Sequence, residues 1–410
     1  ASSPDLIHWK HLPLALAPTP GGYDAFGCFT GSVLPGMETA AIIYTATTRS
    51  TPELATERGS DVREQQCIAT STGPDLVHWT KMEKAAIPLP PPGLKVTGFR
   101  DPCPWKDGDT WYLIIGSGFD GVGGAVLLYK SSDGLNWEYL HPLAQGKWNG
   151  KPEPADPVDT GEMWECPDFF PLGEKHVLLY STERKVYWEV GTLDKQAMLF
   201  HTETQGLLDH GHYYAMKSML DEKGRRILWG WVTEARDDNA LRAAGWAGSM
   251  GLPRVLTVGA DNRLRMEIPP EFASLKEKPK TVTAPKSAAA LSGLAIRNRA
   301  GAVTCSFAGA GGLEFRAGGA SLLSIEAADG SLKIGDVTLT LAPGADGIST
   351  VQIWWDGSVI EIFADDREVL TARSYTGTGD IEVAWTGAVE GLKSLSVAGV
   401  KPISKDRLTS

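Results

Sequence analysis

The chain has 410 residues, with 39 Lys and Arg against 50 Asp and Glu, a formal net charge of −11 at pH 7. That acidic balance argues against a nucleic-acid backbone or an anionic membrane surface as the main partner. Charged residues at 22% and hydrophobic residues at 42% exclude a disordered chain, and no apolar run reaches the roughly 18 residues needed to span a bilayer.

Forty-six Gly and 26 Pro suit a chain of short strands and many turns. Strand-like runs follow in order at 41–46, 111–116, 125–130, 176–181, 227–232, 353–355 and 359–363. They are rich in Val, Ile, Tyr and Trp and are bounded by Gly, Asp and Pro, so the chain reads as all-β. A weak repeat accompanies them. Ser3-Pro4-Asp5-Leu6-Ile7-His8-Trp9 matches Gly73-Pro74-Asp75-Leu76-Val77-His78-Trp79, with a looser copy at Ser132-Asp133-Gly134-Leu135-Asn136-Trp137. Each copy reads as a turn that delivers a Trp into an outer strand. The spacing holds about four short strands, one blade of a β-propeller. Shared turn chemistry in an unrelated β fold is the alternative.

The texture changes near residue 269. Residues 1–268 read as the propeller, 269–286 as a short helix and a linker, and 287–410 as a second all-β unit, most simply a sandwich. The five cysteines (Cys28, Cys67, Cys103, Cys166, Cys305) are far apart and form no CxxC pair, so they read as reduced, small apolar residues. His210 and His212 form an HxH pair, but a third ligand is not evident, and no metal or other cofactor is expected.

Two acidic clusters could carry chemistry. In Phe99-Arg100-Asp101-Pro102 the Arg adjoins the Asp, and Pro102 biases Asp101 toward extended backbone. In Trp164-Glu165-Cys166-Pro167 the Glu sits in apolar surroundings, where desolvation raises a carboxyl pKa toward that of a general acid. An Asp held charged and a Glu held partly neutral is the division of labour expected at a glycosidic bond. An ion pair at a turn and a Glu paired with a Lys would be the structural alternative.

These segments also resemble glycoside hydrolase family 32, the invertases, fructanases and fructosyltransferases. The resemblance runs over nearly the whole chain. It includes YDAFGCFTGS at 23–32, EQQCIA at 64–69, FRDP at 99–102, WECP at 164–167, DHGHYYAMK at 209–217, RILWGWVTE at 226–234, GWAG at 245–248, IEIF at 360–363 and LTARSY at 370–375, in family order. It implies a five-bladed propeller followed by a β-sandwich. It also implies retaining hydrolysis of the fructosyl bond of sucrose or a fructan, or transfer of the fructosyl group to an acceptor sugar. Carried over, Glu165 is the general acid/base and Asp101 the transition-state stabiliser. Arg100, Phe29, Thr30, Gln66, Trp164, Cys166, Asp209, Tyr214 and Trp246 are substrate-binding or pocket residues, with Cys166 tuning Glu165. For Trp246, a core Trp of the fifth blade is the alternative. A secreted or periplasmic setting is expected over a cytoplasmic one.

One family feature does not match. The nucleophilic Asp of a "WMNDPNG"-like motif has no counterpart here, and neither Asp5 nor Asp24 is assigned that role. The repeat copy at Asp5–Trp9 has four residues before it, where the next copy has a whole blade. The first blade is therefore expected to be incomplete, and the natural protein longer at its N-terminus by roughly 30–45 residues. A catalytically inactive fructan-binding protein is the other reading of that mismatch.

Overall fold

A computed structural model describes residues 1–151, 156–375 and 379–403. Four antiparallel sheets follow one another along the first two-thirds of the chain. The first contains β1 (Gly27–Leu34), β2 (Ala41–Arg49), β3 (Val62–Ser71) and β4 (Trp79–Lys81). The second contains β5 (Val96–Asp107), β6 (Thr110–Phe119), β7 (Gly123–Ser131) and β8 (Glu138–Gln145). The third contains β9 (Glu165–Leu172), β10 (Lys175–Thr182), β11 (Lys185–Asp194) and β12 (Leu199–Asp209). The fourth contains β13 (Tyr213–Leu220), β14 (Arg226–Val232), β15 (Ser249–Met250), β16 (Arg254–Val258) and β17 (Leu264–Glu267). The first three are meanders in chain order, as in propeller blades. All seven strand-like runs read from the sequence lie within strands.

The repeat is one turn used three times. Asp5 Oδ1 accepts from the backbone N–H of Ile7 and His8, Asp75 Oδ1 from Val77, and Asp133 Oδ1 from Leu135 and Asn136. The residue after each Asp is left-handed: Leu6 at φ 65°, Leu76 at 58° and Gly134 at 75°. These are Asx turns, in which a short carboxylate replaces a backbone acceptor. The second and third copies lead into the outer strands β4 and β8. The first leads only to an isolated bridge between Ser2 and Lys10, and residues 1–26 hold no strand. There Trp9 packs edge-on against Trp229 of β14, ring centres 5.5 Å apart, and Leu6 and Ile7 join the core around Ile227 and Leu228.

The inner strands share a second device. β1, β5, β9 and β13 each carry an extra residue against their partner, between Cys28 and Gly31, Arg100 and Cys103, Glu165 and Asp168, and Tyr214 and Lys217, and β5 has a further one between Val96 and Phe99. A bulge of this kind bends the strand and re-aims the side chain beside it. In three of them the residue after the break is left-handed: Asp101 at φ 65°, Cys166 at 48° and Ala215 at 51°. For non-glycine residues this costs on the order of 1–3 kcal/mol each, and it persists only where neighbours hold it. They do. Asp101 N–H donates to Thr45 Oγ1 (2.8 Å), Cys166 N–H to Asp101 Oδ2 (2.7 Å) and Ala215 N–H to Ser181 Oγ (3.1 Å), each acceptor lying on the preceding blade. The extended backbone that Pro102 implies for Asp101 is therefore not what forms. The bulge and its bond to Thr45 override the local preference.

The remaining chain forms two six-stranded antiparallel sheets around one apolar core that includes Phe315, Ile353, Trp355 and Ile362. The stretch read as a linker contributes a 3₁₀ turn, Pro270–Leu275, and a strand, Lys280–Thr283, which pairs with Leu392–Gly399 at the edge of one sheet. Its Lys-rich composition concealed a short Thr-Val-Thr edge. The sandwich docks on the fourth blade through a buried cluster. Arg254 Nη2 lies 2.8 Å from Asp209 Oδ2, 3.0 Å from Glu361 Oε2 and 3.0 Å from Thr371 Oγ1. Arg254 and its two carboxylate partners are almost wholly shielded from solvent.

Candidate active site

The four bulges meet around one cavity of about 1190 Å³. Cys28, Arg100, Glu165 and Tyr214 occupy the same register position on four successive inner strands, and all four line it. Three of them bond directly. Arg100 donates from Nε and Nη2 to Glu165 Oε1 at 3.1 and 2.8 Å, and Tyr214 OH donates to Glu165 Oε2 at 2.5 Å. The Glu165 carboxylate is thus held at both oxygens, and its side chain keeps 20% of its surface open to the cavity.

Asp101 lines the same cavity, one residue beyond Arg100. Burial pushes its pKa up to about 6, against the pull of the Arg100 charge. The division of labour read from the sequence changes here. The Arg100 guanidinium hydrogen-bonds Glu165, Glu64 (2.8 Å) and Glu57 (3.2 Å), while the Asp101 carboxylate takes its bond from the Cys166 backbone. Adjacent residues on a bulged strand point apart, so an Arg–Asp sequence pair need not become an ion pair.

The other expected residues fall into two groups. Phe29, Thr30 and Cys166 line the cavity. The Cys166 sulfur meets Thr30 Oγ1 at 3.9 Å, and its backbone N–H serves Asp101, so its visible contribution is to Asp101 rather than to Glu165. Gln66, Trp164, Asp209 and Trp246 do not line it. Gln66 accepts from Thr45 Oγ1 and donates to the Phe99 carbonyl, which ties β3 to β5 behind Asp101. Trp164 is buried and stacked on Tyr180, with ring centres 3.7 Å apart. A Cβ on Gly124 would lie 2.1 Å from Trp164 Cδ1, so only glycine admits the indole there. Asp209 belongs to the buried Arg254 cluster, far in kind from a sugar contact. Trp246 is half exposed beneath the Arg236 guanidinium, 4.0 Å from its ring centre. Asp24 is buried against Lys81, Tyr44 and the Thr19 N–H, and Asp5 caps its turn.

Sequence reasoning passed over Glu64 and the mouth residues. Glu64 is fully buried; its Oε1 accepts from Arg100 and its Oε2 from the Phe99 N–H (2.6 Å) and Thr56 Oγ1. The signal was present, since Glu64 and Gln66 alternate on one face of β3. His210 meets Glu368 of the sandwich at 2.7 Å, whereas His212 lines the cavity, so the HxH pair is split.

The model of the glycosyl hydrolases family 32 N-terminal domain matches residues 1–267, and that of the family's C-terminal domain matches 321–399. The chain belongs to glycosyl hydrolases family 32. The family 32 chain is 34% identical over 305 residues to sucrose-6-phosphate hydrolase of Escherichia coli, covering 69% of this chain and 58% of that protein. It is 33% identical over 298 residues to raffinose invertase of Escherichia coli, covering 68% of this chain and 57% of that protein. It thus spans little more than half the length of these relatives. The structure of Bombyx mori GH32 beta-fructofuranosidase BmSUC1 superposes with a TM-score of 0.77 at 25% identity, covering 98% of this chain and 84% of that one. The fold is accordingly the five-bladed propeller with a following β-sandwich, and the four sheets described above are four of its blades.

Proposed function

We propose that this family 32 chain cleaves the fructosyl bond of sucrose or a fructan, with Glu165 as general acid/base and Asp101 as the acceptor of fructosyl hydroxyl bonds. The observation that carries this reading is the convergence of Arg100, Glu165 and Tyr214 from equivalent bulges onto one carboxylate, with Asp101 beside it in the same cavity. Glu165 has an open face and a fixed orientation, as proton transfer to a leaving oxygen requires. Arg100 and Tyr214 act as positioning residues. Asp101, ionised above about pH 6, accepts hydroxyl bonds that strengthen as the ring takes on oxocarbenium character. In the second half-reaction Glu165 takes the proton of the attacking water, or of an acceptor sugar in a transferase. A retaining course also needs a nucleophilic carboxylate opposite Glu165, and this reading assigns that role to no residue of the chain.

The relatives include a sucrose-6-phosphate hydrolase and a raffinose invertase, so phosphorylated and neutral saccharides are both candidate substrates. The test is fructose release by the natural full-length protein from sucrose, 1-kestose, inulin and levan. Release from at least one, lost when Asp101 or Glu165 is neutralised, is the expected result. No release from any of the four would overturn the reading.

A further inference from the structure

The cavity carries a strong charge bias. Besides Asp101 and Glu165 it is lined by Glu57, Asp156, Asp159 and Glu234, against two guanidinium groups, Arg100 and Arg184. Neither guanidinium is free. Arg100 is almost buried and shared among Glu57, Glu64 and Glu165. Arg184, at the mouth, grips Asp159 through Nε (3.1 Å) and Nη2 (3.3 Å).

Three cations bonded to residues of the lining are also engaged. Lys151 Nζ donates to the Asp159 carbonyl at 3.1 Å. Arg236 pairs with Glu234 at 2.6 Å and lies over the Trp246 and Tyr375 rings. Arg373 donates to the carbonyls of Val232 and Thr233 and to Ser358 Oγ. His212, also in the lining, is pushed down by burial and by the Arg373 charge, which favours its neutral form. Glu234 is held down to about 2, chiefly by its bond to Arg236, so it is fully ionised there.

Resting on the functional reading above, we infer that this cavity selects uncharged saccharides, and that Asp156, Asp159 and Glu234 act as specificity residues that exclude a phosphorylated sugar. The lining carries six carboxylates against two guanidiniums, so carboxylates remain in excess when every ion pair is counted; they accept bonds from sugar hydroxyls but repel a phosphate dianion, and among the described residues of the lining neither cation lacks a carboxylate partner. Rejection of this kind comes from an unfavourable contact with the wrong ligand, not from a better contact with the right one.

Calorimetric titration of the natural full-length protein with sucrose and with sucrose 6-phosphate, at 50 and 300 mM NaCl, tests this. Sucrose 6-phosphate is expected to bind at least about tenfold more weakly at low salt, with the gap narrowing at high salt as mouth charges are screened. The Asp159→Asn/Glu234→Gln double variant should narrow the gap at low salt as well. Equal or tighter binding of sucrose 6-phosphate, with sucrose bound, overturns the inference alone. Tighter binding that is lost in Arg184→Ala would overturn it and make Arg184 a phosphate ligand. If neither sugar binds, the functional reading falls and takes this inference with it.

Discussion

Glu165→Gln separates proton transfer from everything else that Glu165 does. The substitution is isosteric, and the site can accept it. The amide oxygen can take the two Arg100 bonds that Oε1 now receives, and the amide NH₂ then faces Tyr214, whose hydroxyl can turn to accept. No donor is left against a donor, so fold and sucrose affinity should persist. What is lost is the proton delivered to the leaving oxygen and later removed from water. General acid/base catalysis is worth about 10²–10⁴-fold, or about 2.7–5.4 kcal/mol at 1.36 kcal/mol per decade. Turnover measured as initial fructose release should fall by that factor, while calorimetric sucrose affinity changes less than about threefold. Turnover within tenfold of wild type would refute the assignment. A Gln variant that no longer binds sucrose would refute the argument that Arg100 and Tyr214 tolerate the amide.

Asp101 has a folded pKa of about 6, raised by burial, so its ionised form prevails only above that pH. Sucrose affinity should therefore rise as pH increases through about 6, and Asp101→Asn should bind weakly at every pH; affinity flat from pH 4.5 to 7.5 in the wild type would count against it. The same raised pKa favours the protonated folded state, so this group's contribution to stability is full below the ordinary Asp value and lost as pH rises through about 6. Tyr214→Phe removes the charge-assisted bond that orients Glu165, so kcat should fall roughly ten- to a hundredfold, and the melting temperature should drop by a few degrees, as expected for a bond that contributes about 1.5–3 kcal/mol to folding. Arg254→Met strands Asp209 and Glu361 as buried, unpaired carboxylates. Urea denaturation should show a loss of about 3–5 kcal/mol, and a loss below about 1 kcal/mol would show that water reaches the cluster.

The sequence made the strands legible because blade strands are apolar, β-branched and punctuated, and the turn repeat legible because one Asp and one Trp recur at fixed spacing. That Asp101 and Glu165 share one cavity was legible from their motifs and neighbours. What surrounds them was legible only in part. Asp209 sits in a segment that suggests the pocket, yet its partner Thr371, and the Glu361 that shares Arg254 with it, are more than 150 residues away in the sandwich, and no local pattern announces such a cluster. Arg100 next to Asp101 suggested an ion pair, and the bulge turned the guanidinium toward Glu165. The edge strand Lys280–Thr283 was hidden because an edge tolerates the Lys and Pro that also mark a linker.

The bulges explain how a repeated fold produces a non-repeated site. Each of the four described blades presents the same backbone break at the same register, so any side chain placed just before it is aimed at the cavity. Cys28, Arg100, Glu165 and Tyr214 differ in chemistry but not in address. The N–H freed by each break must find an acceptor, and on two blades a hydroxyl supplies it, Thr45 and Ser181. Between the second and third blades Gly116 stands opposite Arg100, where a Cβ would lie 2.4 Å from the Trp164 carbonyl, so no hydroxyl side chain fits there. The Asp101 carboxylate fills that place and bonds the Cys166 N–H. One Asp oxygen is thereby committed to the scaffold. That bond fixes the carboxylate beside Glu165, and it places a structural requirement and a chemical one on the same side chain. Asp101→Ala, which removes the acceptor, should accordingly cost stability as well as affinity, whereas Asp101→Asn keeps an oxygen for the Cys166 N–H and should cost affinity alone; Glu165→Gln, whose partners are both side chains, should leave stability close to wild type.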